Sequence, residues 1–150
     1  MKKILCRNCK SSKLENIFSL GELFYTGKFL KKNINPRRGP IHVVICSKCK
    51  LVQLKNNFDL KYLYGPDYGY RTGINSSMTK HVKSVAKMLS IKTKLQGKDA
   101  TLDIASNDAT LLNSYSKKVI TFGVDPLAKK YLKNYKNINH KISDFFSAAK

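Results

Sequence analysis

No apolar run in the chain approaches the ~18 to 20 residues that a membrane-spanning helix needs, which excludes a transmembrane helix and a membrane partner of that kind. No apolar signal segment follows Met1-Lys2-Lys3, so a secreted disulfide framework is not expected and a reducing cytoplasm is. Acidic side chains are scarce, 9 against 29 Lys and Arg, and the net charge is +20. A surface of that sign attracts nucleic acid or anionic lipid through counterion release. Arginine is nevertheless confined to Arg7, Arg37, Arg38 and Arg71, and the lysines are scattered from end to end among abundant Asn and Ile. Bidentate grips on phosphates or bases call for Arg, so most of this charge reads as solvated surface, with nucleic-acid binding as the lesser reading. Hydrophobic content of 42% excludes wholesale disorder, and 150 residues suit one ordinary domain or two small ones.

No cysteine stands alone. The four form two Cys-x-x-Cys pairs, Cys6/Cys9 and Cys46/Cys49, separated by 36 residues. Each pair closes a tight knuckle, and two knuckles supply the four thiolates of a tetrahedral structural Zn²⁺. A redox pair of the thioredoxin kind would open a helix after a strand. Here Cys46-Ser47-Lys48-Cys49 lies between the β-prone runs 41–45 and 51–54, so the knuckle reads as the turn of a β-hairpin.

Three stretches follow from this. Residues 1–60 form the zinc-binding module, with a polar loop over 31–40. Residues 61–98 hold an aromatic segment, Tyr62 to Gly73, too rich in Gly and Pro for a regular element, and then a helix. Ile74, Met78, Val82, Val85 and Leu89 give that helix one apolar stripe, read as core packing, opposite Lys80, Lys83 and Lys87. From residue 99 to 150 the pattern turns to βαβ. Strands are expected at 101–105, 119–124 and 138–142, and helices at 110–115 and 127–135. Ser106-Asn107-Asp108 offers N-cap chemistry between the first strand and helix.

A strand, a tight loop, a helix start and a second strand ending in an acid make half of a Rossmann-like sheet. Asp125 lies 22 residues beyond Asp103, near the ~20-residue offset of the acid that binds ribose hydroxyls. The loop 105–109 has no glycine, and a pyrophosphate wants several. S-adenosylmethionine carries a sulfonium and an ammonium instead, which carboxylates such as Asp103 and Asp108 suit. The competing reading is that Asn107-Asp108 only caps one helix and Asp125 only opens the next.

Three signatures together resemble the sugar C-methyltransferases that act on nucleotide-linked deoxysugars and join a zinc-binding domain to a Rossmann methyltransferase domain. They are the double Cys-x-x-Cys followed by Lys50-Leu51-Val52-Gln53-Leu54, the segment Tyr68 to Asn75 with Met78 and His81, and Leu102 to Leu112 followed by Gly123-Val124-Asp125-Pro126. The fold class expected is therefore α/β: a small zinc-ribbon-like module followed by the first half of a Rossmann-like methyltransferase sheet. The resemblance implies that Cys6, Cys9, Cys46 and Cys49 hold zinc. It implies that Asp103, Ala105, Ser106, Asn107, Asp108, Asp125 and Pro126 line the S-adenosylmethionine site. It also implies that Tyr68, Tyr70, Arg71 and Asn75 face a nucleotide-linked sugar, with tyrosines stacking and Arg71 pairing with phosphate. Packing of those aromatics within the protein is an equal reading on chemistry alone, and His81 reads as packed or solvent-facing. The implied reaction removes a proton beside a keto group, and the carbanion attacks the sulfonium methyl.

Two departures accompany the resemblance. Ala105 and Ala109 stand where the family carries glycine, and a left-handed backbone would cost each alanine about 1 kcal/mol. The family's catalytic His and Glu segment and its sugar-nucleotide region fall past Lys150. No catalytic residue is assigned, the chain is expected to be an N-terminal portion, and alone it is not expected to turn over. A zinc-ribbon nucleic-acid-binding module with a basic surface is the alternative.

Overall fold

The computed structural model describes residues 4–25, 27 and 36–148. The chain divides into two compact units, Met1–Leu63 and Tyr64–Lys150. It is mixed α/β, and no helix among the described residues is long and apolar enough to cross a membrane.

The first unit is an antiparallel sheet of β1 (Leu14–Phe24), β2 (Arg38–Cys46) and β3 (Val52–Leu54), in that order. β2 and β3 pair Val43 with Leu54 and Ile45 with Val52, so the second knuckle turns a hairpin as its flanks predicted. β1 was not foreseen. Its apolar residues do not alternate, and its register with β2 shifts between Asn16 and Phe18 and again between Ser19 and Glu22, where Gly21 takes φ 70°. Residues 31–35 of the expected 31–40 loop lie outside the described residues, Pro36 and Arg37 are irregular, and Arg38–Pro40 belongs to β2.

A short helix, α1 (Leu60–Leu63), closes the unit behind Asp59, whose Oδ1 accepts from the N–H groups of Lys61 and Tyr62. Tyr25 meets Phe58 and Tyr62 edge-on at 5.4 and 5.5 Å. Gly39 passes beneath them, where a Cβ would come within 2.8 Å of both the Tyr25 and Phe58 rings. Among the described residues the buried side chains of this unit are Cys6, Val44, Cys46 and Gln53. Two of those four are cysteines, so the sheet lacks an apolar core able to hold it and needs a staple.

The second unit pairs β4 (Ala100–Ile104), β5 (Ile120–Val124) and β6 (His140–Ile142) in parallel, in that order. Asn139 extends the last pairing, its Oδ1 accepting from Thr121 N–H at 2.9 Å. Ala109, Leu112, Ala128, Tyr135 and Ile138 form the core. Gly123 allows this closeness, since a Cβ there would meet Leu112, Ser106 Oγ and Tyr135 at 2.9 to 3.0 Å.

The expected helices at 110–115 and 127–135 are instead 3₁₀ turns, Leu112–Ser114 and Leu132–Tyr135. The first ends within a turn: Asn113 N–H reaches Ala109 O at 2.9 Å, but Ser114 and Tyr115 N–H then bond Leu111 O and Leu112 O in the tighter i→i−3 pattern. The second has too few residues to hold a helix by propensity, and Tyr135 is drawn into the core.

The helix α2 (Ser76–Lys92) is present, but its stripe needs correction. Ile74 precedes it in a 3₁₀ turn, and Ile74, Met78 and Leu89 are exposed. The packed line is Thr79, Val82, Ala86 and Ser90 with Val85, which puts the small Ala86 at the contact.

Candidate functional site

The cysteine cluster comes first, because two similar turns build it. Lys10 N–H donates to Cys6 O at 3.0 Å and Cys6 N–H to Ser11 O at 2.8 Å; Lys50 N–H donates to Cys46 O and Cys46 N–H to Leu51 O, both at 2.9 Å. Each knuckle thus ends on a lysine in the left-handed region, φ 60° at Lys10 and 61° at Lys50. The four sulfurs lie within 4.8 Å of one another, with Cys6 to Cys49 at 3.5 Å and Cys9 to Cys46 at 3.6 Å. A regular tetrahedron at the usual Zn–S length has edges of about 3.8 Å, while a disulfide needs about 2 Å. The cysteines are free thiols, and their spacing fits zinc.

Backbone donors prepare two of the sulfurs to be thiolates. The N–H of Leu51 lowers Cys49 to about 6, and that of Cys49 lowers Cys46. Cys9 differs. Ser11 N–H pulls it down, but burial and the three other sulfurs push it up to about 11. Further negative charge beside these thiolates needs a cation, which zinc would supply.

Two residues that the spacing did not mark hold the knuckles to the sheet. Buried Gln53 accepts from Arg7 N–H at 2.8 Å, and Arg7 Nη2 reaches Leu54 O, Asn56 O and Asn57 Oδ1. The one legible trace of this was Gln53 in the run after Cys49.

In the second unit, the stretches 70–73 and 106–110 form one junction. Asn107 Oδ1 accepts from Thr72 N–H at 3.0 Å and from Thr72 Oγ1 at 3.4 Å, and its Nδ2 donates to Tyr70 O at 3.3 Å. Asp108 is fully buried. Its Oδ2 accepts from Arg71 Nε and Gly73 N–H, both at 2.9 Å, and its Oδ1 from Thr110 N–H and Thr110 Oγ1. Burial alone would raise this carboxyl, but Thr110, Arg71 and the backbone donors hold it below the usual carboxylate range. Four donors fill its four acceptor positions, so Asp108 shapes the loop and has nothing left to offer a ligand. Gly73 is required, because a Cβ there would stand 2.7 Å from Asp108 Oδ2.

Asp103 and Asp125 sit at the adjacent C-terminal ends of β4 and β5. Asp125 is buried, its Oδ2 accepting from Asn107 N–H at 2.9 Å and its Oδ1 from Leu127 N–H at 2.6 Å. One acceptor position remains on each oxygen. Asp103 is half-buried, and burial followed by the charge of Asp125 pushes it up to about 6. Two carboxylates close enough to repel favour a cationic ligand. Ala105 and Ala109 take φ 65° and 60°, the left-handed backbone that the glycine comparison anticipated. Ala109 is buried, and Ala105 is exposed at the loop mouth. Ser106 Oγ bonds Tyr135 OH at 2.8 Å, and burial pushes that phenol up to about 12. Pro126 is half-buried between Asp125 and Leu127.

Of the expected substrate residues, Arg71 keeps its Nη groups beyond the Asp108 contact, with its guanidinium 5.6 Å from the Tyr131 ring. Tyr70 is exposed, Tyr68 packs on Tyr64 at 5.1 Å between centroids, and Asn75 Oδ1 caps α2 through Met78 N–H. His81 is exposed on α2, one of the two positions expected for it. Lys130, which the sequence did not mark, fastens the same stretch by donating to Pro66 O and Tyr68 O at 2.9 Å.

Residues 6–64 match the family model Methyltransf_13, described as "Putative zinc binding domain". The match takes in all four cysteines and the whole antiparallel sheet, and supports zinc binding and a methyltransferase-related role. No curated protein matches the chain.

Proposed function

We propose that this chain supplies the zinc lobe and methyl-donor site of an S-adenosylmethionine-dependent C-methyltransferase acting on a nucleotide-linked sugar. The carrying observation is the pair Asp103 and Asp125 at neighbouring strand ends beside the left-handed loop 105–109. That placement is the one a Rossmann-like half sheet gives to a nucleotide ligand, at the C-terminal ends of parallel strands.

Asp125, fixed by two backbone N–H groups, retains acceptor positions for two ribose hydroxyls. Asp103 balances positive charge and does so only when ionised. Ser106 and Tyr135 keep the loop rigid beneath it. Tyr68, Tyr70 and Arg71 present an aromatic and cationic edge suited to a sugar nucleotide, and Asn75 fixes the start of α2 beside them. Bound here, S-adenosylmethionine would supply an electrophilic methyl on a sulfonium centre. The cysteines hold zinc structurally, which suits a reducing, cytoplasmic setting. No side chain of the chain is assigned as general base, so by itself it binds rather than turns over.

The alternative nucleic-acid role draws less support. Arg7 is tied to Leu54, Asn56 and Asn57, Arg37 to Asp59 and the Tyr62 ring, and Arg38 lies 4.2 Å over Phe24. Besides Arg71, scattered lysines would remain to grip phosphates along a nucleic acid.

Calorimetry separates the two. On zinc-loaded chain, S-adenosylmethionine binds and Asp125→Ala weakens it at least tenfold. Nucleic-acid affinity that falls steeply with salt, together with indifference to S-adenosylmethionine, would overturn the proposal.

A further inference from the structure

Every polar group of Asn107 is engaged, and each by a different part of the second unit. Its N–H holds Asp125 Oδ2 at 2.9 Å, at the end of β5. Its carbonyl accepts from Tyr135 OH at 2.8 Å, in the core. Its side chain takes Thr72 through Oδ1 and Tyr70 through Nδ2. The left-handed backbone, φ 47°, is what aims the N–H at the acid while the side chain reaches the 70–72 strap; asparagine tolerates it better than most residues.

We propose that Asn107 is a positioning residue that couples occupancy at Asp125 to the stance of the Tyr70–Gly73 strap. This rests on the donor-site reading above. A ligand bonded to Asp125 fixes the carboxylate, the carboxylate fixes the Asn107 N–H, and the same residue holds the strap that carries Arg71. Donor binding therefore orders the acceptor-facing strap, and by linkage a bound acceptor tightens the donor. Asp108 provides an independent anchor through Gly73 N–H, so the strap stays attached when Asn107 is altered.

The test is amide hydrogen exchange on the zinc-loaded full chain, with and without S-adenosylhomocysteine, each variant saturated according to its own calorimetric isotherm. In the unaltered chain the ligand slows exchange at Thr72 N–H about tenfold, within the roughly 5- to 150-fold range of ordinary coupling. Asn107→Gly suits the positive φ and keeps the backbone bond to Asp125 but removes all three side-chain bonds to the strap, so the ligand effect at Thr72 disappears while Gly73 stays protected. Asn107→Asp keeps the acceptor for Thr72 N–H and restores the effect. Equal slowing in Asn107→Gly, or none in the unaltered chain with ligand bound, overturns the coupling but leaves the donor site standing. Absence of S-adenosylhomocysteine binding overturns both.

Discussion

Lys10 and Lys50 hold the same place in the two knuckles, and each bears a side chain where the backbone, at φ 60° and 61°, favours glycine. Lys10→Gly and Lys50→Gly should each stabilise the first unit by about 1 kcal/mol in denaturant titration, because the left-handed strain is relieved. Asp103 carries a charge-state prediction of the opposite kind. Its folded-state value is raised to about 6, so it binds its proton more tightly folded than unfolded, and stability falls as pH rises from about 4 toward 6. Asp103→Asn should therefore raise the melting temperature at pH 7 by a few degrees while weakening S-adenosylmethionine binding. Spacing alone revealed the cysteines, because metal geometry writes itself into Cys-x-x-Cys. Nothing comparable marked Arg7, Asn107 as a bridge or Lys130, whose partners are backbone carbonyls and amides distant in sequence.

The loop junction is where elements take their final form. Asp108→Asn should cost the second unit about 2 kcal/mol in a urea melt, the scale of a hydrogen bond to a charged group, since an amide cannot accept from donors on both of its sides. Protonation acts in the same direction. The Asp108 value is depressed, so its stabilisation is full above about pH 4 and is lost as pH falls through the folded value. The strands β4 to β6 were legible because short apolar runs between turns leave few alternatives. The helices at 110–115 and 127–135 were misread because local pattern does not show that the bonds tighten to i→i−3 at Ser114 and Tyr115, or that Tyr135 is drawn into the core. β1 was missed since its apolar residues lie largely exposed and its register breaks twice.

Across the whole molecule, stability divides between a unit built on four sulfurs and a unit built on an apolar core. Chelation at pH 7 should erase amide protection in β1 to β3 and leave β4 to β6 protected, as followed by hydrogen exchange. Zinc reloading at the same pH should release protons, at least the one that Cys9 retains at a value near 11. In the second unit, Asp103 and Asp125 lie at the strand ends of β4 and β5, where the proposed methyl donor would meet both. The most direct measurement is S-adenosylmethionine affinity of the zinc-loaded chain between pH 7.5 and pH 5. Binding should weaken severalfold, up to about tenfold, as Asp103 takes up its proton near pH 6. An affinity unchanged across that range, or no binding at millimolar donor, would contradict the account.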